Sequence, residues 1–478
     1  MLKEAYMVDL QQLLAGVPAP RRIPAEQVRD ARRRGARQLV VLDDDPTGTQ
    51  SVAELPVLNS WGVEDLEWAL GTGAAAVYVM TNSRSLSPAD AATRNREVVT
   101  AALDAAARLG VDVDFVSRSD STLRGHYPLE PDVIMEVLAG RGIAVDGVVV
   151  VPAFGDAGRI TVHSVHYAGS DATGYVPVGE TEFARDATFG YHSSDLRSWV
   201  EEKTGGRIQS AEVEAITLED LRGDGSAAVE TLDALAGGRP VVVDIVEEDD
   251  LRALALALLD AESRGKRFIH RVGPPFVRGL VGQDVLEPLD ADDVARISGE
   301  AGTGGGLIVV GSHVGLTTRQ LDALRERRHP TEFEIDVNTV LGGDGPAHIA
   351  GVVDAVSAAL TGGNVVIRTS RTLVKGSDGA DSLRIARAVS DAVVHVVRAV
   401  LDRQRPRFVI AKGGITSSDV AARGLEIGRA IVRGPMLPGI VSLWEPITGP
   451  ARGIPYIVFA GNVGDDQSLA DVADKLSA

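Results

Sequence analysis

The most constraining stretch of this sequence is Gln38-Leu39-Val40-Val41-Leu42, a short β-branched apolar run that stops abruptly at Asp43-Asp44-Asp45-Pro46-Thr47-Gly48. Its length and content are those of a buried strand, and an end made of three carboxylates, a proline and a glycine is expected to point its acids into solvent at a sheet edge. In open α/β sheets ligands bind outside the carboxyl ends of the strands, so residues 43–50 occupy a site position. An Asp-Pro-Thr-Gly turn needs a single capping aspartate. Three adjacent acids repel one another, and a turn alone supplies no reason for them.

The same order of strand, polar turn and helix recurs. An apolar run at 74–80 ends at Thr81-Asn82-Ser83-Arg84-Ser85 and is followed by an Ala-rich helix from Pro88 to about Gly110. A third run, 113–116, leads into Ser117-Arg118-Ser119-Asp120-Ser121-Thr122-Leu123-Arg124-Gly125-His126, and 145–152 makes a fourth. This alternation predicts a parallel sheet with the polar ends at 43–50, 81–85 and 117–126 gathered on one rim. Residues 153–215 show weak periodicity and are expected to be loops folded over that rim, before strands at 241–245 and near 268. At 478 residues the chain exceeds one ordinary core, and a boundary is expected between 285 and 306. Beyond it the pattern restarts, with strands at 307–310, 364–368, 408–411 and 456–459 and helices at 317–327 and 382–403. The expected layout is a lead-in at 1–36 and two α/β domains, 37–290 and 300–478, each on a mostly parallel sheet flanked by helices. The basic run Arg32-Arg33-Arg34 of the lead-in reads as a solvated helix face.

Composition removes several function classes. A net charge of −19 and only 4% aromatic residues argue against nucleic-acid binding, which needs clustered cations and stacking platforms. With no cysteine there is no thiolate chemistry and no disulfide, and no apolar run reaches the ~20 residues of a membrane span. The reading is a cytoplasmic protein without a membrane partner. In so acidic a chain, each arginine beside a polar strand end is informative about anionic ligands.

The first rim mixes acids (Asp43, Asp44, Asp45, Asp120), hydroxyls (Ser119, Ser121, Thr122) and guanidinium groups (Arg84, Arg118, Arg124). Carboxylates accept from the hydroxyls of a polyhydroxylated ligand, and arginine clamps its carboxylate. An aspartate beside a bound hydroxyl can act as base or orient that hydroxyl toward phosphorus. In the second half, glycine turns follow strands at Gly311-Ser312, Gly413-Gly414-Ile415-Thr416 and Gly461-Asn462-Val463-Gly464. Such turns let backbone N–H groups approach phosphates, although no G-x-x-x-x-G-K-[ST] pattern occurs. His163 and His166 give no metal-binding pattern and read as core or surface residues.

A competing pattern is hydrophobic-D-x-D-x-T at Leu42 to Thr47, as in haloacid-dehalogenase-like phosphatases, with Asp43 as nucleophile, Asp45 as acid/base and Asp465-Asp466 as a distal Mg²⁺ motif. Some 420 residues and a domain boundary separate Asp43 from Asp465, and the pattern leaves Arg84, residues 118–125 and the 413–414 glycines without a role. A non-catalytic sensor of sugar acid and nucleotide is a third reading.

Taken together these residues resemble the four-carbon acid sugar kinases, with an N-terminal sugar-acid-binding domain and a C-terminal nucleotide-binding domain. The likeness rests on Asp44-Asp45-Pro46-Thr47-Gly48, Asn82-Ser83-Arg84, Asp120-Ser121-Thr122-Leu123-Arg124-Gly125 and Gly158-Arg159-Ile160-Thr161, together with the three glycine turns, and spans about 38–470. Arg118, Ile415 and Phe459-Ala460 stand where the family pattern has lysine, an acid and Lys-Ser. The resemblance implies ATP-dependent phosphorylation, with Mg²⁺, of a short sugar acid such as threonate, erythronate or a 3-oxo-tetronate, in an interdomain cleft. It implies that Asp44, Arg84, Arg118, Ser119, Asp120, Ser121 and Arg124 hold the acid, with Asp45 or Asp120 as base. It further implies that Ser312, Gly413, Gly414, Ile415, Thr416, Gly461, Asn462 and Gly464 hold ATP; a homodimer stays open, and no residue is assigned to the metal.

Overall fold

The strand Gln38–Asp43 pairs in parallel with Ala76–Met80 on one side and Val113–Arg118 on the other. Further parallel pairings extend the sheet through Phe268–Val272, Gly147–Val151, Arg239–Val243 and Glu214–Ile216. In this computed structural model, which describes residues 7–35, 37–299, 302–370 and 379–478, that sheet is the centre of a first unit comprising Met1–Gly48 and Trp61–Val285. A second unit comprises Thr49–Ser60 and Leu286–Ala478. Each is α/β on a mostly parallel sheet, as the sequence pattern implies.

The central strands Gln38–Asp43 and Ala76–Met80 are mostly apolar because both faces are covered, so residues such as Val40, Val41, Val77 and Val79 are all buried. The helix Pro88–Leu109 shows how local signals delimit the covering layer. Ser87 caps it by accepting from the Asp90 N–H at 3.2 Å, Pro88 occupies its first turn, and Gly110 ends it with φ 68°. Ala91, Val98, Ala102 and Ala105 recur at helical spacing on its buried face. The lead-in contributes its helix Ala25–Arg32, whose Val28 is fully buried.

Residues 153–215 are not simple loops. They form an antiparallel sheet of Arg159–Val162, Val165–Ser170 and Gly174–Pro177, and then the helix Leu196–Lys203, with Trp199 fully buried. Polar side chains on the outer faces of short antiparallel strands hide the alternation that a longer strand would show. The excursion is tied to the polar turn after Val113–Arg118: His166 Nε2 lies 2.8 Å from the Ser121 carbonyl, and Tyr191 donates to the Thr122 carbonyl at 2.7 Å. Only a protonated Nε2 can serve that carbonyl, leaving Nδ1 to accept from Thr161 at 2.9 Å; burial pushes His166 down to about 4, which keeps this neutral form. His166 is thus a core residue.

The second sheet runs Thr331–Ile335, Val365–Thr369, Leu307–Val310, Val409–Lys412, Tyr456–Phe459 in parallel and continues with antiparallel Ile440–Pro446, Arg429–Leu437 and Leu55–Leu58. Three of the strands the sequence did not announce break a pattern. Leu55–Leu58 contains Pro56, Arg429–Leu437 contains Gly434-Pro435 and bulges between Val432 and Gly434, and Thr331–Ile335 is a short, polar edge. Leu469, Val472, Ala473 and Leu476 of the helix Ser468–Ser477 pack in one core cluster with Leu321, Leu324 and Ile457. Burying each such leucine stabilises by roughly 1.5–3 kcal/mol.

Thr49, the first residue of the second unit, fixes the excursion 49–60. Its hydroxyl accepts from the Trp444 indole N–H at 2.9 Å and donates to Ser442 Oγ at 2.9 Å, all three residues being buried. Thr49→Val keeps the shape and leaves the indole N–H unpaired. It should lower stability by about 1–3 kcal/mol, read from the urea unfolding midpoint.

Candidate functional site

In the first sheet the chain moves from Gln38–Asp43 to Ala76–Met80 on one flank and then to Val113–Arg118 on the other, so the strand order reverses between Gln38–Asp43 and Val113–Arg118. Asp43 and Arg118 are the last residues of these two strands and are register partners. The crevice beyond such a reversal is where open α/β sheets bind ligands.

Contrary to the expectation from sequence, two of the three acids at this end do not point into solvent, while Asp45 is a quarter exposed. Asp43 and Asp44 are 0% and 1% exposed. Asp43 is ion-paired with Arg118, whose guanidinium also donates to the Asp45 carbonyl at 2.8 Å. Gly48 is packed against this pair so closely that any Cβ would collide with Asp43 Oδ2 and the Arg118 guanidinium, which explains glycine at that point of the turn. Asp44 is held by a two-pronged contact from Arg84, Nη2 to Oδ1 at 2.5 Å and Nε to Oδ2 at 3.1 Å, and Ser119 Oγ lies 3.2 Å from the same Oδ2. Arg84 reaches Asp45 Oδ2 at 3.3 Å, and Asp45 also accepts from the Thr47 N–H at 2.9 Å. Asp120 is held by Thr122 and by Arg124 Nε at 2.7 Å. Arg84, Arg118 and Arg124 are therefore already matched to acids of the protein. Ser121 contributes its carbonyl to His166, as above.

The electrostatics divide the aspartates. Burial raises Asp43 to about 7 against the opposing pull of Arg118, helped by the charges of Asp44 and Asp45. Burial would also raise Asp120, but Arg84, Arg124 and the Thr122 hydroxyl outweigh it and bring it down to about 2. Asp45 is lowered likewise, since Arg84, Arg118 and the Thr47 contacts overcome its desolvation. Asp45 and Asp120 are ionised acceptors at neutral pH. Asp43 lies behind Arg118 with no exposed surface, so the phosphatase pattern lacks a reachable nucleophile. Asp465, its proposed distal acid, accepts from Ser468 Oγ at 2.8 Å and the Gln467 N–H at 3.0 Å.

Beneath the rim lies a buried network that sequence reasoning did not single out. Arg271 donates to Glu130 Oε2 at 2.6 Å and Ser117 Oγ at 2.9 Å, while Ser83 donates to Glu130 Oε1 at 2.6 Å. It joins the ends of Ala76–Met80, Val113–Arg118 and Phe268–Val272 through Glu130. Its one visible signal is a charged residue inside the apolar run Phe268-Ile269-His270-Arg271-Val272.

In the second unit the order reverses between Leu307–Val310 and Val409–Lys412, and the glycine turns follow these strands and Tyr456–Phe459. They converge. The N–H groups of Gly311 and Ser312 donate to the Lys412 carbonyl at 3.1 and 3.3 Å, and Gly413 N–H donates to the Phe459 carbonyl at 2.8 Å. Thr317 Oγ1 bridges Ser312 Oγ at 3.1 Å and the Gly461 carbonyl at 2.9 Å. A Cβ on Gly311 would run into Thr416 Oγ1, and one on Gly461 would lie 2.5 Å from Ser312 Oγ. Gly413, Gly414 and Thr416 open the helix Gly414–Asp419; the Ile415 side chain lies outside the described residues. Asn462 is exposed and Gly464 turns with φ 82°. Among the described residues no cluster of three or more histidine or acidic groups is arranged as a metal cage.

Lys412 sits fully buried under these turns. Its ammonium donates to the Ala460 carbonyl at 2.7 Å and lies 3.8 Å from the centre of the Phe459 ring. Burial pushes it down to about 7. Between pH 7 and the ordinary value near 10.5 the unfolded chain binds the extra proton, so this group's contribution to stability rises with pH. The stability difference between Lys412→Met and wild type should therefore favour the variant most at pH 6 and shrink toward pH 10, as measured by urea unfolding at both pH values.

Two family models match successive parts of the chain. Residues 39–280 match a model of a sugar-binding N-terminal domain and residues 307–469 a model of a nucleotide-binding C-terminal domain. The chain is 25% identical to a D-erythronate kinase of Heliobacterium modesticaldum over 92% of its own length and 97% of that protein. It is 26% identical to a D-threonate kinase of Salmonella typhimurium, over 83% and 88% of the two chains. A solved structure from Haemophilus influenzae shares the fold with a TM-score of 0.63 at 18% identity, covering 91% of this chain and 99% of that one. With both domain models matched in order along most of its length, the chain belongs to the four-carbon acid sugar kinase family.

Proposed function

We propose that this protein is an ATP-dependent kinase that phosphorylates a hydroxyl of a short-chain sugar acid of the erythronate and threonate type. The observation that carries the reading is the contrast between two polar strand ends, each at a strand-order reversal. One is built from carboxylates, hydroxyls and guanidinium groups that suit a polyhydroxylated acid. The other is built from glycine backbone that suits polyphosphate. The kinase names of the relatives support the same pairing of substrates.

In this reading Asp44, positioned by Arg84 and Ser119, and Asp120, positioned by Arg124 and Thr122, accept hydrogen bonds from the sugar hydroxyls. Asp45, a quarter exposed and ionised, is the more accessible candidate for orienting the reacting hydroxyl and taking its proton, with Asp120 as the other. An aspartate of low pKa is a weak base, which suits phosphoryl transfer, where positioning and charge stabilisation dominate and the proton leaves late. Ser312, Gly413, Gly414, Ile415, Thr416, Gly461, Asn462 and Gly464 form the nucleotide side, and Mg²⁺ carried on the nucleotide's phosphates neutralises charge there.

ADP release coupled to a panel of four- to six-carbon sugar acids tests the proposal. Turnover is expected with D-erythronate, D-threonate or a close relative, and none with the matching polyols. Asp120→Asn and Arg84→Ala should each lower kcat/KM at least 10- to 100-fold, the equivalent of about 1.5–3 kcal/mol for a charge-assisted contact. If both stay within a few-fold of wild type, the sugar side is misassigned. Gly311→Ala should raise the KM for ATP while leaving calorimetric binding of the sugar acid unchanged.

A further inference from the structure

The guanidinium groups around the sugar-side rim are committed to the protein's own acids: Arg118 to Asp43, Arg84 to Asp44 and Asp45, Arg124 to Asp120, and Arg271 to Glu130. A ligand carboxylate binding to any of them would have to share or displace an existing partner. Arg159 differs. Its Nη1 donates to the Ala157 carbonyl, its buried Nε has no hydrogen-bond partner, and no carboxylate of the described residues lies within ion-pair distance.

Its placement is specific. The backbone of Arg159 exchanges two hydrogen bonds with Phe154, at 2.8 and 3.0 Å, just after the strand Gly147–Val151. Its guanidinium carbon lies 5.5 Å from the centre of the Phe183 ring, and that of Arg124 lies 5.4 Å from the same ring. Two cations thus share one aromatic platform. Arg124 is balanced by Asp120 and, at 3.7 Å, by Asp186. Burial, with repulsion from Arg124, pulls the Arg159 guanidinium below its usual range despite the attraction of Asp120. An anion beside it would relieve both costs.

We propose that Arg159, seated on the Phe183 ring, is the residue that receives the carboxylate of the sugar acid, and that it sets the preference for an acid over the neutral polyol. The inference rests on the sugar-acid reading above. A planar guanidinium with free donors can take a carboxylate through two parallel hydrogen bonds, which an ammonium cannot reproduce. Arg84 and Arg124 then act by holding Asp44 and Asp120 toward the hydroxyls.

The test is calorimetric titration of the full chain, without nucleotide, with D-erythronate, D-threonate, erythritol and D-threitol. Wild type should bind an acid at least tenfold tighter than its polyol. Arg159→Gln should weaken the acid tenfold or more with the polyol unchanged, so the preference collapses. Arg159→Lys should recover part of it, and Phe183→Leu should weaken the acid by a smaller factor; melting curves establish that each variant is folded. An acid-to-polyol ratio in Arg159→Gln equal to wild type overturns the inference and leaves the kinase proposal intact. Absence of any acid preference in wild type overturns the inference and the sugar-acid reading together. Loss of the preference in Arg159→Gln, with no ADP release from wild type on any acid, sustains this inference and removes the kinase activity instead.

Discussion

The arrangement of the first unit depends on the neutralisation of buried carboxylates at the end of Gln38–Asp43. Taking an aspartate out of water costs several kcal/mol, which a guanidinium in direct contact offsets only when the geometry is good. Asp43 and Asp44 lie inside because Arg118 and Arg84, from the ends of the two flanking strands, reach them. Each pairing also locks the relative position of two strand ends. These acids are therefore part of what holds the rim together, and removing one partner strands a charge in low dielectric.

The buried Glu130 and Arg271 repeat this logic one layer down, with Ser83 and Ser117 completing the carboxylate's hydrogen bonds. A rim whose side chains are cross-linked in this way is preorganised: its acceptors stand in place before a ligand arrives and lose little freedom on binding. Arg159 belongs to a different structural element, the small antiparallel sheet over the rim, and its guanidinium carries no such internal partner.

The second unit solves the anion problem without charged side chains at the turns. Gly311, Gly413 and Gly461 let the three turns approach, Thr317 bridging Ser312 and the Gly461 carbonyl and Thr416 Oγ1 lying against Gly311, so that no side chain is accommodated at these glycines. Its one buried cation, Lys412 among the described residues at this end of the sheet, is spent on the Ala460 carbonyl and the Phe459 ring.

The sequence by itself determined the strands and polar turns that follow period and punctuation. Leu39 to Leu42 within Gln38–Asp43, Leu307–Val310 and Tyr456–Phe459 are continuous apolar runs, and Pro88–Leu109 carries its own cap, its N-terminal proline and its terminal glycine. Local signals suffice there because both faces of a parallel strand are buried and helix ends must satisfy their own backbone groups. The candidate residues at 44–45, 84, 118–124, 312, 413–416 and 461 were legible for the same reason, as polar residues clustered where apolar runs stop. Only the tertiary structure decided that Asp43 and Asp44 are buried, that Leu55–Leu58 joins the second unit despite Pro56, that residues 159–177 form a sheet, and that Arg159 lacks an acid while Arg84 does not. The burial of Asp44 and the placement of Leu55–Leu58 are matters of which residues meet across 40 to 390 residues of chain, and a pairing between distant partners leaves no trace in the local spacing of either; the 159–177 hairpins are local but too short and polar to show a period.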